Sequence, residues 1–418
     1  NIGGALTPTH VSVAVAARDE DGDPVVIPSS YNQAMQSKHA EHWKSAMREH
    51  IEGLIELSVF APKLVPKREK LIPSRWVYDV KVDDTGCVTR WKARLVVQGF
   101  RQRRGIDYDQ VFAPAIRAEQ IRFMIGVAAK HCGTKVLGTV RPEDATVEFY
   151  KSAFASVLTT GDVKDAYLNS EMPEEEQIYT TVPPGWDLGD MSIPENLKLA
   201  LLTLKAVPGM HQSGRVYYKS QRKMLLALGF EPCEVAPCIY VKVVPTGILV
   251  IGHFVDDLIL CNLSSDPHAF DDVRAAISKH YTVKYADNIE KFVGAQFTVT
   301  EIGIFMHLTQ YCEDLIEKHG PAAGSKKAMT PEADVVPAPR DERLLQRADI
   351  QLYQSIVGAL MFAMTTCRPD IAHATNMLAR RMASPRACDL GDAYRVIRYL
   401  KLRPNYGLLF RFDEDEIH

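Results

Sequence analysis

The stretch from Gly247 to Cys261 constrains this chain more than any other, because two β-branched apolar runs meet there at an Asp256-Asp257 pair. Each run is short enough to be a buried strand, and the acidic pair falls where a tight hairpin would turn. Adjacent carboxylates between core strands are costly, since like charges repel and burial disfavours ionisation. A bound divalent cation removes both objections, and an ordinary Asp-rich turn is the alternative. A second acidic strand end, Gly161-Asp-Val-Lys-Asp-Ala-Tyr-Leu168, adds a third carboxylate at Asp162.

The rest of the composition limits what such a site could serve. A chain of 418 residues has room for two or three domains, and 46% apolar with 24% charged residues is the balance of a globular protein. The net charge of -3 offers nucleic acid no general attraction, so any basic surface must be local. No apolar run is long enough to span a membrane, and the scattered cysteines read as reduced intracellular thiols.

Local basic charge is found in residues 62–105, where twelve Lys or Arg face four Asp or Glu. The segment reads as a hairpin, Arg75 to Val82 and Cys87 to Val97, turning at Asp83 to Gly86. Arg90, Lys92 and Arg94 are two apart, so they emerge on one face as a cationic strip with a spacing of about 7 Å. That strip suits phosphates of a template or an incoming nucleotide; a solvated edge strand guarded by charge is the plainer reading. Gln98 to Gly105 continues as a basic loop.

Around these features the pattern predicts a linker over 1–30, then a helix with its apolar stripe at Ala34, Ala40, Trp43, Met47, Ile51, Leu54 and Ile55. A helix is expected over 117–130. Residues 137–157 read as an insertion that loops out, because Val136 could run directly into Leu158 and the flanks Lys-Val-Leu and Ser-Val-Leu resemble each other. The glycine-containing loop from Lys205 to Gly214 feeds a helix over 215–228. A hairpin over 292–308, a helix over 309–318, a Pro-rich connector over 320–345 and terminal helices over 353–403 complete the chain.

Asp162, Asp256 and Asp257 supply what two-metal phosphoryl transfer requires: hard oxygen ligands for Mg²⁺, with the two ions about 3.5–4 Å apart. Asp162 and Asp256 read as direct ligands, Asp257 as an electrostatic neighbour. No Walker loop, dinucleotide glycine pattern or Ser-His-Asp order competes.

The chain resembles the reverse transcriptase of copia-type LTR retrotransposon polyproteins. The motifs that carry this are Ser74-Arg-Trp-Val77, Arg90-Trp-Lys-Ala-Arg-Leu-Val96 with Gln98-Gly-Phe100, and Asp107-Tyr with Phe112-Ala-Pro114. They continue with Asp162-Val-Lys-Asp-Ala-Tyr-Leu-Asn169, Phe254-Val-Asp-Asp257, Cys367-Arg-Pro-Asp-Ile371 and Arg398-Tyr-Leu-Lys401, in the family's order. Pro208-Gly-Met-His-Gln212 departs from the family's aromatic-Gly-Leu-Lys-Gln, and Phe254 replaces a commoner tyrosine. Neither change removes a ligand.

The resemblance implies an α+β right-hand fold of fingers, palm and thumb, with an antiparallel palm sheet backed by helices. Its divisions would be fingers and the N-terminal helix over 31–130, palm over 131–290, a thumb-like region and connector over 291–345, and a partial connection region over 346–418. It implies RNA-directed DNA polymerase activity, with Asp162, Asp256 and Asp257 as the metal-binding triad, Val163 beside them, and two Mg²⁺ ions for which Mn²⁺ can substitute. Lys92, Arg94, Asp165, Ala166, Tyr167 and Gln212 would meet the nucleotide, with the Tyr167 ring blocking a ribose 2′-hydroxyl. Arg90, Phe254, Val255, Phe292, Gly294 and Gln296 would meet primer or template. The implied partners are an RNA or DNA template with its primer, dNTPs, and the integrase and RNase H segments of the same polyprotein, in cytoplasmic particles with access to the nucleus. An RNase H domain is expected beyond the end of the chain. Two other readings stay open: an inactive remnant that folds and binds nucleic acid, favoured by the insertion, and a metal-dependent nuclease.

Overall fold

The computed structural model describes residues 17–83, 85–137, 146–189, 192–320, 327–332 and 341–412. Its centre is a six-stranded antiparallel sheet in the order β11-β4-β10-β9-β8-β7. The strands are β4 (Leu158–Val163), β7 (Glu231–Cys233), β8 (Ala236–Val244), β9 (Gly247–Phe254), β10 (Asp257–Ser264) and β11 (Val283–Ala286). The expected Gly247–Cys261 hairpin is β9–β10, joined by the two residues Val255 and Asp256.

β10 is almost continuously buried because both faces of the sheet are covered. Ile259 and Cys261 enter one core with α3 (Ala118–Leu137) and α4 (Val147–Val157). Leu258 and Leu260 enter another with α5 (Ser213–Ala227) and α6 (Asp271–His280). In α3 the buried residues Ile121, Met124, Ile125, Ala128, Ala129 and Cys132 recur at three- and four-residue steps, so one stripe faces the sheet.

The basic hairpin is β2 (Ser74–Val82) and β3 (Val88–Val97), and its inner face packs on α2 (Ala40–Glu56) through Trp43, Trp76, Tyr78 and Leu95. Trp43 is wholly buried, the core position its spacing predicted. β1 (Phe60–Pro66), β6 (Leu197–Thr203) and β5 (Tyr179–Thr180) form a small sheet beside it, and α1 (Tyr31–Gln36) precedes α2.

The C-terminal part is a four-stranded sheet, β12 (Lys291–Phe292), β13 (Ala295–Val299), β14 (Gly303–His307) and β15 (Gly407–Arg411), with α7 (Thr309–His319), α8 (Arg347–Thr366), α9 (Ala372–Ala379) and α10 (Ala387–Leu402). β15 pairs with β14, so this sheet takes strands from both sides of residue 345.

Two sequence expectations are corrected. Residues 17–30 are anchored rather than loose: the Arg18 N–H donates to the Gly86 carbonyl, and Asp19 accepts from the His39 ring at 2.8 Å. The rest of the expected linker, 1–16, lies outside the described residues. The segment 137–157 does not simply loop out. Residues 138–145 are not described, but α4 is capped by the Thr146 hydroxyl and buries Tyr150, Phe154 and Val157 at helical spacing. Tyr150 also stacks on Phe412, with ring centroids 4.8 Å apart. The sequence could reveal the repeated flank, but not that the inserted turns carry an apolar stripe matched to an existing core.

Phe154 is 1% exposed. Phe154→Ala should therefore cost about 3–5 kcal/mol of stability, read from the urea midpoint. An unchanged midpoint would return this segment to the looped-out reading.

Candidate active site

The three aspartates come together through strand register. β4 lies between β11 and β10, and Asp162 stands directly opposite Asp257. Asp256 is held at the hairpin tip, where its carbonyl accepts the Val163 N–H at 2.9 Å. Asp162 and Asp256 are exposed, whereas Asp257 is half-buried. Burial, the Asp256 carboxylate and the Asp162 carboxylate, in that order, push the Asp257 carboxyl up to about 7. Among the described residues, no three His, Cys, Asp or Glu side chains are gathered closely enough to hold an ion. The donor set of hard carboxylate oxygens nevertheless has the chemistry of a Mg²⁺ site.

The hairpin tip is strained. Val255 has φ +56°, a left-handed conformation that β-branched residues rarely adopt. Behind the tip, Gly252 is closely packed: a Cβ there would lie 2.7 Å from Ile116 Cδ1 and 2.9 Å from Ile259 Cγ2, so these side chains would have to shift.

After β4 the chain turns through Asp165, also left-handed at φ +52°, into a short helical turn, Ala166–Asn169. The Asn169 amide closes the turn by donating to the Lys164 and Asp165 carbonyls, each at 3.0 Å. Ala166 is buried, and Tyr167 packs edge-on against Tyr217 at 5.9 Å. Burial and the Asp256 charge raise the Tyr167 phenol above its usual range.

The cationic strip forms as its spacing predicted, with Arg90 and Arg94 exposed and Lys92 partly covered. Burial and the neighbouring Arg94 and Lys81 charges lower the Lys92 ammonium. Arg90 is engaged by Glu49. The half-buried His50 ring has its basicity lowered by burial, raised by the Asp165 charge and lowered by the Arg94 charge. The sequence reading passed over His50. Its signal was a polar residue on the buried stripe of α2, between Met47 and Leu54.

Other predicted positions divide. Gln212 is fully buried, with its amide nitrogen on the Asp107 and Glu176 carbonyls at 3.2 Å and its oxygen accepting from Gln102 at 3.0 Å. Its side chain therefore acts as a strut between loops rather than as an exposed face. Phe292 is likewise core, 4% exposed. Beside it, Val293 (φ +47°) and Gly294 (φ +82°) make a second tight hairpin. There Gly294 is exposed, and the Gln296 side chain caps the start of α7 by accepting from the Gln310 N–H at 2.9 Å. Phe254 and Val255 are half-buried at the first hairpin.

Residues 59–136 and 153–333 match the family profile described as reverse transcriptase (RNA-dependent DNA polymerase). The chain belongs to the reverse transcriptase family. The break in the match, 137–152, falls inside the segment read as inserted. The Arabidopsis thaliana Pol polyprotein from transposon RE1 is 27% identical over 384 residues, covering 90% of this chain and 24% of that one. The Nicotiana tabacum Pol polyprotein from transposon TNT 1-94 is 25% identical, covering 90% of this chain and 26% of that one. These relatives bear out the likeness to retrotransposon polyproteins, and the chain spans about a quarter of their length. Among solved structures, a foamy viral protease-reverse transcriptase in complex with double-stranded DNA covers 88% of this chain and 49% of that one, at 12% identity and a TM-score of 0.43.

The raised Asp257 carboxyl has a consequence for stability. Between the ordinary carboxylate value of about 3.9 and about 7, the native state keeps a proton that the unfolded chain has lost. Native stability therefore falls as pH rises through that window. In chelator-treated protein, Asp257→Asn should raise Tm at pH 8, and the gain should disappear near pH 4. An equal gain at both would mean a packing effect rather than relief of charge.

Proposed function

We propose that this reverse transcriptase segment is an RNA-directed DNA polymerase that extends a primer along an RNA or DNA template using dNTPs. The observation that carries the reading is the pairing of Asp162 with Asp257 on adjacent strands, with Asp256 at the hairpin tip and the Asp165-Ala166-Tyr167 turn alongside.

Bound divalent ions, Mg²⁺ or Mn²⁺, would neutralise these carboxylates and supply Lewis-acid chemistry for nucleotidyl transfer. Asp162 and Asp256 would hold them, with the Val163 backbone beside them and Asp257 adding negative charge. The other roles belong to the chain itself. Lys92 and Arg94 draw in the triphosphate by charge. The exposed left-handed turn at Asp165, with Ala166 packed behind it, offers backbone to the nucleotide. The Tyr167 ring, braced by Tyr217, leaves no room under the sugar for a 2′-hydroxyl. The hairpin tips at Phe254-Val255 and Val293-Gly294, with Gln296, position the primer end, and Arg90 at the outer end of the strip meets template phosphates. Integrase and RNase H segments of a longer polyprotein, assembled in cytoplasmic particles, are the proposed companions.

The packing of α4 directly before β4 supports assembly of the strand that carries Asp162, and so favours the enzyme over the inactive remnant. Primer extension on poly(rA)/oligo(dT) with Mg²⁺ or Mn²⁺ tests the proposal. The wild-type chain should incorporate dTMP, and Asp162→Ala should reduce incorporation by a factor on the order of 10³ or more while template affinity stays within about threefold. Silence from the wild type with either ion would reject the polymerase reading. Unimpaired incorporation by the variant would reject the assigned site.

A further inference from the structure

Tyr167 rides on the short helical turn Ala166–Asn169, which is too small an element to hold a large ring by itself. The support comes from α5. Gly214, Tyr217 and Gln221 follow at three- and four-residue steps, so they share one face of that helix. A Cβ built on Gly214 would lie 3.9 Å from the Tyr167 hydroxyl. The Tyr217 and Tyr167 rings meet edge-on, with centroids 5.9 Å apart and planes at 85°.

Tyr217 is itself clamped. It is 2% exposed, and its ring also meets Tyr281, with centroids 6.1 Å apart and planes at 65°. The Gln221 amide donates to its hydroxyl at 3.4 Å. Tyr281 closes the end of α6, and its hydroxyl shares a 3.3 Å hydrogen bond with the Ser220 hydroxyl, which ties α6 back to α5. Tyr217 and Tyr281 lie in one core with Leu258 and Leu260 of β10. A ring that selects by excluding a single oxygen atom must not yield, because misplacement by about 1 Å changes reactivity on the order of 100-fold. Close-packed interiors transmit such a push rather than absorb it. Here it would pass from Tyr167 to Tyr217 and Tyr281, and so into the core.

We propose that Tyr217 is a positioning residue for sugar selection: clamped by Gln221 and Tyr281, it keeps the Tyr167 ring from receding, and so sets how strongly ribonucleotides are refused. At its depth it touches no substrate. That the Tyr167 ring meets the sugar rests on the polymerase reading above. The ring rather than the hydroxyl of Tyr217 makes the contact, so phenylalanine preserves the edge-on meeting, whereas leucine leaves a gap into which Tyr167 can tilt.

Steady-state incorporation from dUTP and from UTP on poly(rA)/oligo(dT) tests this, since the two substrates differ only at the 2′ position. The ratio of kcat/KM for dUTP to that for UTP should fall about tenfold or more in Tyr217→Leu, through better use of UTP. Tyr217→Phe should stay within about threefold of the wild type. Tyr281→Leu, one ring further from the cleft, should shift the ratio in the same direction by a smaller factor, and it serves where Tyr217→Leu does not fold. Equal falls in both efficiencies, leaving the ratio constant, would mean packing alone and overturn the proposal. So would a changed ratio in Tyr217→Leu with none in Tyr167→Ala.

A second readout is independent of catalysis. With 3-fluorotyrosine replacing Tyr167, the fluorine resonance should move toward its urea-unfolded position in Tyr217→Leu, or in Tyr281→Leu, and not in Tyr217→Phe. A resonance indifferent to the leucine variants would overturn the proposal. Failure of the wild type to extend a primer would reject the polymerase reading alone, and the fluorine resonance would still decide whether Tyr217 fixes the ring.

Discussion

Burying a carboxylate beside two others is the constraint around which this structure is built. Asp257 stands opposite Asp162 with Asp256 at the adjoining tip, and the cost shows in a carboxyl pushed up to about 7. Nothing in the aspartates themselves would hold them together, so the surrounding sheet has to. β4 lies between two antiparallel neighbours, Val163 is tied to the Asp256 carbonyl, and helices cover both faces. Gly161 serves the same end, because a Cβ there would press to 3.0 Å from Val283 and 3.2 Å from Tyr285 on the strand beyond. A carboxyl perturbed by burial and charged neighbours together is a common mark of a functional site.

The backbone around the carboxylates is strained in the same place. Val255 and Val293, at the tips of two separate hairpins, both adopt left-handed φ, at a cost of roughly 1–3 kcal/mol each. Glycine would relieve it. A bulky residue fixed in that conformation gives each tip a definite surface, and the burial of Ile259, Phe292 and Ala295 behind them supplies the restraint. Asp165 makes a third such turn beside Tyr167.

Much of this could be read in the sequence, and the boundary of legibility is physical. The hairpins and the Arg90-Lys92-Arg94 face follow from a period of two, which is a local property of a strand. The aspartate pair was conspicuous because charge between apolar runs is costly. What escaped was long-range or partner-dependent. Gln212 looks like any loop amide until Gln102, over a hundred residues away, is seen to donate to it. β15 joins β14 across about a hundred residues, and residues 17–30 are fixed by contacts with the β2–β3 turn and α2. No periodicity announces such pairings.

The segment 137–157 shows how a chain can lengthen next to a demanding site without losing it. An inserted stretch preceding β4 could displace Asp162 unless it paid its own way in hydrophobic burial. α4 does this with Tyr150, Phe154 and Val157, which extend the core already shared by α3, β10 and the C-terminal sheet. It then passes straight into Leu158, so the start of β4 is set by packed helix rather than by loop. The close approach of Gly133 to the Phe412 carbonyl, 2.1 Å from a built Cβ, and the Tyr150–Phe412 stack bind the same core to the far end of the chain. The register that sets Asp162 against Asp257 is therefore held from below by a core that spans nearly the whole sequence, and the added helix is part of that support.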